Sequence, residues 1–472
     1  MEFSNGSLVL SNIYERLLRY DPIGERFVPE LAISYESSKD GLTWTFHLRR
    51  NVYFHDGVRL DADAVKFSIE RSMRLRQGAS YIWNPIDEIK TIDKYRVQFF
   101  LKYPAAMDLA VSCAYGAFIM SPKAVTSHLP NWLSDGNEAG TGPYTLHSFK
   151  TGDEVVLSAF RNYWGGWKPN QFKQVIIKRI SSSSKRRELL ENGTVDISVY
   201  LSTEDNEILK NNDKIVKSFD GTYANAILLF NTAKAPLNDK MYRKAIRYAF
   251  PTDQIWSVLG HSSIKPSKGL IPSGIWGHHS NAAAYTYNME KAQQLLSQSK
   301  HSDRDHTLVL TYFAENNFQK RIAEMYRDSL KKIGIRLKLQ GMSWESQEQL
   351  AKHIKPENRQ DILMMIWWPD LISPYSWLYN LYHSQSSIGF NYTYLQSPTL
   401  DQLIDRMYRF QATNRKEAIT LVKRAQKMIR DEAVSIPVYD LKATWVYQNS
   451  LKGFRFNPAY QDVIFFYETY RN

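Results

Sequence analysis

The stretch DGLTWTFHLRRNVYFHDGVRL, residues 40–60, runs directly into DADAVKFSIER, residues 61–71. Trp44, Phe46 and Leu48 alternate with polar residues, the period of a half-buried strand. Asp40-Gly41 makes a tight turn before it and Asp56-Gly57 another after it. Asp61 or Asp63 then caps a helix on which Val65, Ile69 and Met73 fall four apart on one face. A strand, a turn and an amphipathic helix in about thirty residues set the style of the chain.

Outward from there the elements alternate. Val97–Leu101, Tyr144–Phe149, Glu154–Ala159 and Val175–Ile180 read as strands, the middle two joined by Thr151-Gly152-Asp153. Gly140-Thr141-Gly142-Pro143 is a break, and Asn162–Pro169 an aromatic, glycine-rich loop. Lys185–Glu191 is a short helix ending at Gly193. The second half is richer in helix, over Met241–Ala249, Met289–Gln298 and Gln319–Ile333, with strands at Arg336–Gln340 and Ile436–Tyr439. Asn414 and Glu417 form a capping box for a helix carrying Ile419, Val422 and Ile429. This alternation predicts an α/β protein.

Composition narrows the classes. The 472 residues hold 43% hydrophobic and 23% charged side chains, ordinary for a globular chain of two to four domains. The single cysteine, Cys113, rules out an internal disulfide and a cysteine zinc site. Flanked by Ala110, Val111 and Ala114, it reads as a packed thiol rather than a nucleophile. The net charge is +12, but acids interleave with the bases, so no nucleic-acid partner is expected. A basic surface also suits anionic membranes or acidic partners. The longest apolar runs, such as Ile362–Trp368, are too short to span a bilayer. Met1–Leu10 lacks a basic region followed by an apolar stretch, so no signal peptide is read. The chain is then a mature or shortened form, or a cytoplasmic one.

Catalytic signatures are missing: no GxSxG, no P-loop, no GxGxxG and no HExxH occurs. His55-Asp56-Gly57 reads as a turn rather than an acid–base or metal pair. His278-His279 reads as a surface loop rather than a metal site. Neither cofactor nor metal is expected, although a hydrolase assembled from scattered residues stays open. Aromatics make up 13% of the chain. In Ile366-Trp367-Trp368-Pro369-Asp370 two indoles and a carboxylate adjoin a proline, with Pro374, Tyr375, Trp377 and Tyr379 following. Such a loop is either structural packing or a place where binding residues collect.

These segments resemble the family 5 extracellular solute-binding proteins, the peptide and nickel receptors of ABC importers. The resemblance begins at LAISYE (31–36) and continues through the 40–71 stretch. It then runs through SPKAV (121–125), GTGPYTL (140–146), NYWGGWKP (162–169), LLENGTVDI (189–197) and NTAKAPLNDKMYRKAIRYAF (231–250). IAEMYRDSLKKIGIRLKL (322–339), SPTLDQLID (397–405) and RKEAITLVKRAQKMIRDEAVSIPVYD (415–440) complete it. It implies a type II periplasmic-binding-protein fold with mixed sheets. One lobe would be discontinuous (1–27, 140–226 and 445–472), with an extra strand-rich domain at 28–139 and a second lobe at 227–444. Ligand would sit in the inter-lobe cleft.

The resemblance also implies a monomeric, non-enzymatic receptor, periplasmic or extracellular and membrane-associated, that delivers peptides to a membrane permease. A binder of nickel chelate or a sugar conjugate has the same fold, and a cytoplasmic ligand-sensing regulator is a further alternative. In peptide-binding members a W-x-x-D-x-x-[DE]-P pattern supplies the aspartate that pairs with the ligand's α-ammonium. Trp367 to Pro374 matches it, with Ser373 at the acidic position, so Asp370 is the expected anchor and Trp367 and Trp368 its walls. By the same resemblance Trp344 in MSWES lines the pocket. Tyr223 and Asn225 would hydrogen-bond the peptide backbone.

Overall fold

The computed structural model describes residues 4–128, 132–133, 135–259, 263–280, 285–302, 306–385, 387–460 and 462–471. The chain folds into two compact units. The first comprises Met1–Thr222, Asp370–Ile372 and Ala443–Asn472, and the second Tyr223–Pro369 and Ser373–Lys442.

In the first unit the strand Thr43–Leu48 buries Trp44, Phe46 and Leu48, as the alternation predicts. It lies between Ala32–Ser37 and Arg96–Leu101 in a four-stranded antiparallel sheet completed by Ile86–Asp93. The helix Ala62–Leu75 packs on that sheet through Val65 and Ile69. Asp61 is its cap, accepting from the Ala64 N–H at 3.0 Å. A second antiparallel sheet joins Tyr144–Lys150, Glu154–Ala159 and Gln174–Lys178 in chain order.

The first unit opens with a helix, Ser4–Ile13, that the sequence reading did not foresee. The Gly140–Pro143 break serves its docking. The Gly142 N–H donates to the Ile13 carbonyl at 2.7 Å, and a Cβ on Gly142 would meet the Asn12 carbonyl oxygen at 2.6 Å. Next to it Arg16 is fully buried. Its Nε donates to the Cys113 carbonyl at 2.7 Å, and its guanidinium lies over the Phe118 and Tyr460 rings. Those contacts spread a buried charge over carbonyl and aromatic partners.

The second unit is built on a mixed sheet. Asn225–Phe230 runs antiparallel to Ile362–Trp367, which is parallel to Thr307–Phe313, itself parallel to Arg336–Met342. Phe230, Leu310, Ile362 and Met364 fill its core with Ile322 and Tyr326 of the helix Asn317–Lys331. Met364 is fully buried.

Several elements differ from expectation. The long strand Ile215–Phe230, which runs through Asp220-Gly221, was not foreseen. Tyr375–Tyr382 is a helix rather than a loop. Only half of the capping box forms. Asn414 Oδ1 accepts from the Glu417 N–H at 3.1 Å, but the Asn414 N–H donates to the Phe410 carbonyl at 2.7 Å. The Glu417 carboxylate faces Arg406 instead, at 3.8 Å.

Candidate functional site

The loop expected to carry ligand contacts follows the strand Ile362–Trp367, whose last residue lies opposite Asn225 in the sheet register. Trp367 is 6% exposed, and its ring meets Phe390 edge-on at 5.2 Å. Its indole Nε1 is buried with no hydrogen-bond partner among the described residues. Trp368, one step on, is half-buried, as alternation at a strand end requires. Pro369 has no N–H to continue the ladder, and the strand stops.

Trp344 opens the helix Trp344–Ala351, capped by Ser343, whose Oγ accepts from the Ser346 N–H at 3.2 Å. Its ring lies 6.4 Å from Tyr392, which lies 6.2 Å from Phe390. A run of rings, Trp344, Tyr392, Phe390 and Trp367, therefore links two of the expected residues within the second unit.

Asn225 is fully buried and its side chain is committed to the protein. Its Nδ2 donates to the Leu270 carbonyl at 3.0 Å, and its Oδ1 accepts from Trp377 Nε1 at 2.9 Å. It fixes the strand against the helix Tyr375–Tyr382 rather than presenting an amide outward. Tyr223 is half-buried. It packs on Gly274, whose φ of 99° and absent Cβ leave the ring room.

Asp370 is grouped with the first unit and is 8% exposed. Tyr81, in the short 3-10 helix Gly78–Trp83, donates its hydroxyl to Asp370 Oδ2 at 2.8 Å. Tyr115 donates to Oδ1. Each carboxylate oxygen thus has a fixed donor, a charge-assisted arrangement that holds an anion in place. Burial, with the Asp370 charge adding to it, pushes the nearby Cys113 thiol up, so this cysteine is a packed thiol and not a nucleophile. Ser373 is fully buried and donates to Gln411 Oε1 at 2.7 Å, fixing the far end of the loop inside the second unit.

Tyr81, Tyr115, Phe390 and Tyr392 were not foreseen. Nothing in their local sequence marks them, since their partners lie far along the chain. His55-Asp56-Gly57 is a turn: Gly57 has φ 82°, and Asp56 Oδ1 accepts from the Val58 N–H at 3.0 Å. The His55 ring lies between the Glu138 carboxylate at 2.6 Å and the Gly142 carbonyl at 2.9 Å. His278 Nδ1 is 2.7 Å from the Ile271 carbonyl. Among the described residues no group of three His, Cys, Asp or Glu is placed to hold a metal ion.

Relatives align along nearly the whole chain. The probable D,D-dipeptide-binding periplasmic protein DdpA of Escherichia coli (strain K12) is 28% identical over 460 residues, covering 95% of this chain and 87% of the relative. The dipeptide-binding protein of the same organism is 28% identical over 474 residues, covering 94% and 87%. The fold is that of the Helicobacter pylori ABC transporter-associated periplasmic binding protein DppA in complex with peptide STSA. The TM-score is 0.86 at 23% identity, over 100% of this chain and 94% of that one. The profile described as bacterial extracellular solute-binding proteins, family 5 Middle, matches residues 26–389. The chain belongs to the bacterial extracellular solute-binding proteins of family 5.

Proposed function

We propose that this protein is the substrate-binding receptor of an ABC importer, that its ligand is a short peptide with a free amino terminus, and that it catalyses no reaction. Family membership and the dipeptide-binding names of its relatives support the class. The observation that carries the ligand is Asp370, a nearly buried carboxylate gripped by two tyrosine hydroxyls beside two tryptophans. A carboxylate held in this way is suited to an ammonium, and the indoles supply apolar surface for a neighbouring side chain. The resemblance adds Trp344 and Tyr223 to the ligand-binding residues, and Asn225 fixes the strand on which Tyr223 lies.

The same reading carries the division into a first lobe (1–27, 140–226, 445–472), an extra domain (28–139) and a second lobe (227–444). It also carries a working place outside the cytoplasmic membrane beside a permease. Relatives are named periplasmic, and among the described residues no helix is long and apolar enough to cross a membrane.

A ligand that binds only the native state stabilises it by RT ln(1 + [L]/Kd), about 2.7 kcal/mol at a hundredfold excess over Kd. Unmodified di- to tetrapeptides should therefore raise the melting temperature and be recovered intact. Cleaved peptides would overturn the receptor reading. A protein indifferent to every peptide but stabilised by a metal chelate or a sugar conjugate would overturn the ligand class.

A further inference from the structure

The positive charge of this chain is not shared evenly. The first unit holds 31 Lys and Arg against 30 Asp and Glu, a net of +1. The second holds 29 against 18, a net of +11. Part of that excess is laid out on one helix, Arg415–Glu432. Its buried side, Ala418, Leu421, Val422, Ala425 and Ile429, packs on the helix Pro398–Thr413. Its exposed side carries Lys416, Thr420, Lys423, Arg424 and Lys427. Steps of four, seven, eight and eleven residues from Lys416 fall on a single stripe. That stripe is about 16 Å long.

No carboxylate interrupts it. Glu417 is half-buried off the stripe and faces Arg406, and Asp431 pairs with Lys427 at 2.9 Å beyond its end. Lys416, Lys423 and Arg424 have no ion pair among the described residues. Lys423 and Lys427 are like charges four apart, and Arg424 and Lys427 three apart. Such pairs weaken a helix rather than support it.

We propose that this face is a docking surface for an anionic lipid bilayer. The chemistry favours a delocalised anionic surface over a discrete acidic partner. Three of the four cations are lysines, hydrated point charges without the planar fork that reads a defined carboxylate. They stand in a row along the exposed side of one helix. The apolar side of the helix is used up in the fold, so nothing inserts and the attachment is electrostatic, reversible and salt-sensitive. Among the described residues no helix could replace it with a span. The inference does not depend on which ligand the protein takes.

The test is co-sedimentation of the whole protein with vesicles of phosphatidylcholine alone or mixed with phosphatidylglycerol, at low and high salt. The protein should pellet with the anionic vesicles only, and salt should release it. Each cation near such a surface contributes about a fivefold gain in partitioning. The triple variant Lys416→Gln, Lys423→Gln, Arg424→Gln should therefore partition about a hundredfold more weakly, and glutamine keeps the helix propensity. A control triple on another exposed site of the same unit, Lys320→Gln, Lys331→Gln, Lys332→Gln, should lose far less. Equal binding to neutral vesicles, no binding to either, or equal losses in the two triples would each overturn the proposal. Absent vesicle binding with uptake in cells still impaired by the first triple would point instead to an acidic protein partner.

Discussion

The Tyr81 hydroxyl donates to the Asp370 carboxylate across 2.8 Å, joining residues 289 positions apart. With Tyr115 on the other oxygen, the carboxylate is held in one orientation. On the proposed reading of Asp370 as the ammonium anchor, such preorganisation spares the cost of fixing the group at the moment of binding.

Replacing Asp370 by Asn keeps the shape and one acceptor oxygen but removes the charge. Peptide affinity should fall by about 2–4 kcal/mol, because the ligand ammonium is then desolvated without its counter-ion. Acetylating the peptide should cost the wild type a similar amount and the Asn variant much less, since both changes remove the same pair. Calorimetric titration of the four combinations measures the coupling. Equal binding of acetylated and free peptide to the wild type would remove the ammonium anchor.

Asn225→Leu tests the buried amide. The change strands the Trp377 indole N–H and the Leu270 carbonyl without partners. An unsatisfied buried group costs about 1–3 kcal/mol, so the sum should be about 2–6 kcal/mol, read from urea unfolding. Loss of affinity without loss of stability would show instead that the amide faces the ligand.

Glu15 predicts a pH dependence. It is 3% exposed and accepts from the Tyr163 hydroxyl and the Trp164 indole, each at 2.9 Å. Burial, followed by the neighbouring Glu30 carboxylate, pushes its carboxyl well above the ordinary range. A raised carboxyl binds its proton more tightly in the folded state. Its contribution to stability is therefore full below the unfolded value, about 4.3, and is lost as pH rises through the folded one. Glu15→Gln keeps an acceptor oxygen and has no proton to lose. Its unfolding free energy should decline less than that of the wild type as pH rises above about 4.3. Parallel pH profiles would show that this carboxyl holds its proton equally well in the folded and unfolded protein.

Gly140→Ala should damage the first unit. A Cβ there would collide with the Ile13 carbonyl oxygen, which is backbone and cannot swing away. The His55 N–H also donates to the Gly140 carbonyl at 2.9 Å, so the glycine is held from both sides. Overpacking of this kind should cost about 3 kcal/mol or more. A melting temperature within a degree or so of wild type would mean the helix Ser4–Ile13 shifts freely.

Legibility in the sequence followed solvent exposure. The strand Thr43–Leu48 and the helices Ala62–Leu75 and Asn317–Lys331 each have one wet side, so their periods show. The helix Tyr375–Tyr382 is buried at seven of its eight residues, and a helix buried all round has no apolar stripe to detect. Ser4–Ile13, rich in Ser, Asn and Gly, has poor intrinsic propensity and owes its helix to packing. At the candidate site the resemblance led to Asp370 and the tryptophans. The two tyrosines on Asp370 could not be read, because only the fold brings residues 255 and 289 positions apart together. Asn225 shows the reverse: a polar residue beside the site looks available in sequence until its neighbours are known.

The composition of the first unit has a consequence for synthesis. Its last segment, Ala443–Asn472, supplies the partner of the strand Ile197–Val199, with Ile197 opposite Tyr447 and Val199 opposite Trp445. It also brings the Ile464 carbonyl to Asn12 at 2.7 Å, and Tyr460, whose hydroxyl donates to the Ser112 carbonyl at 2.9 Å. Asn12 is thus completed by a residue that is translated 452 positions later. The nascent first unit must wait, incomplete, while more than two hundred intervening residues are translated. That waiting period is when its unpaired strand and uncovered apolar side chains are open to chaperones and to misassociation.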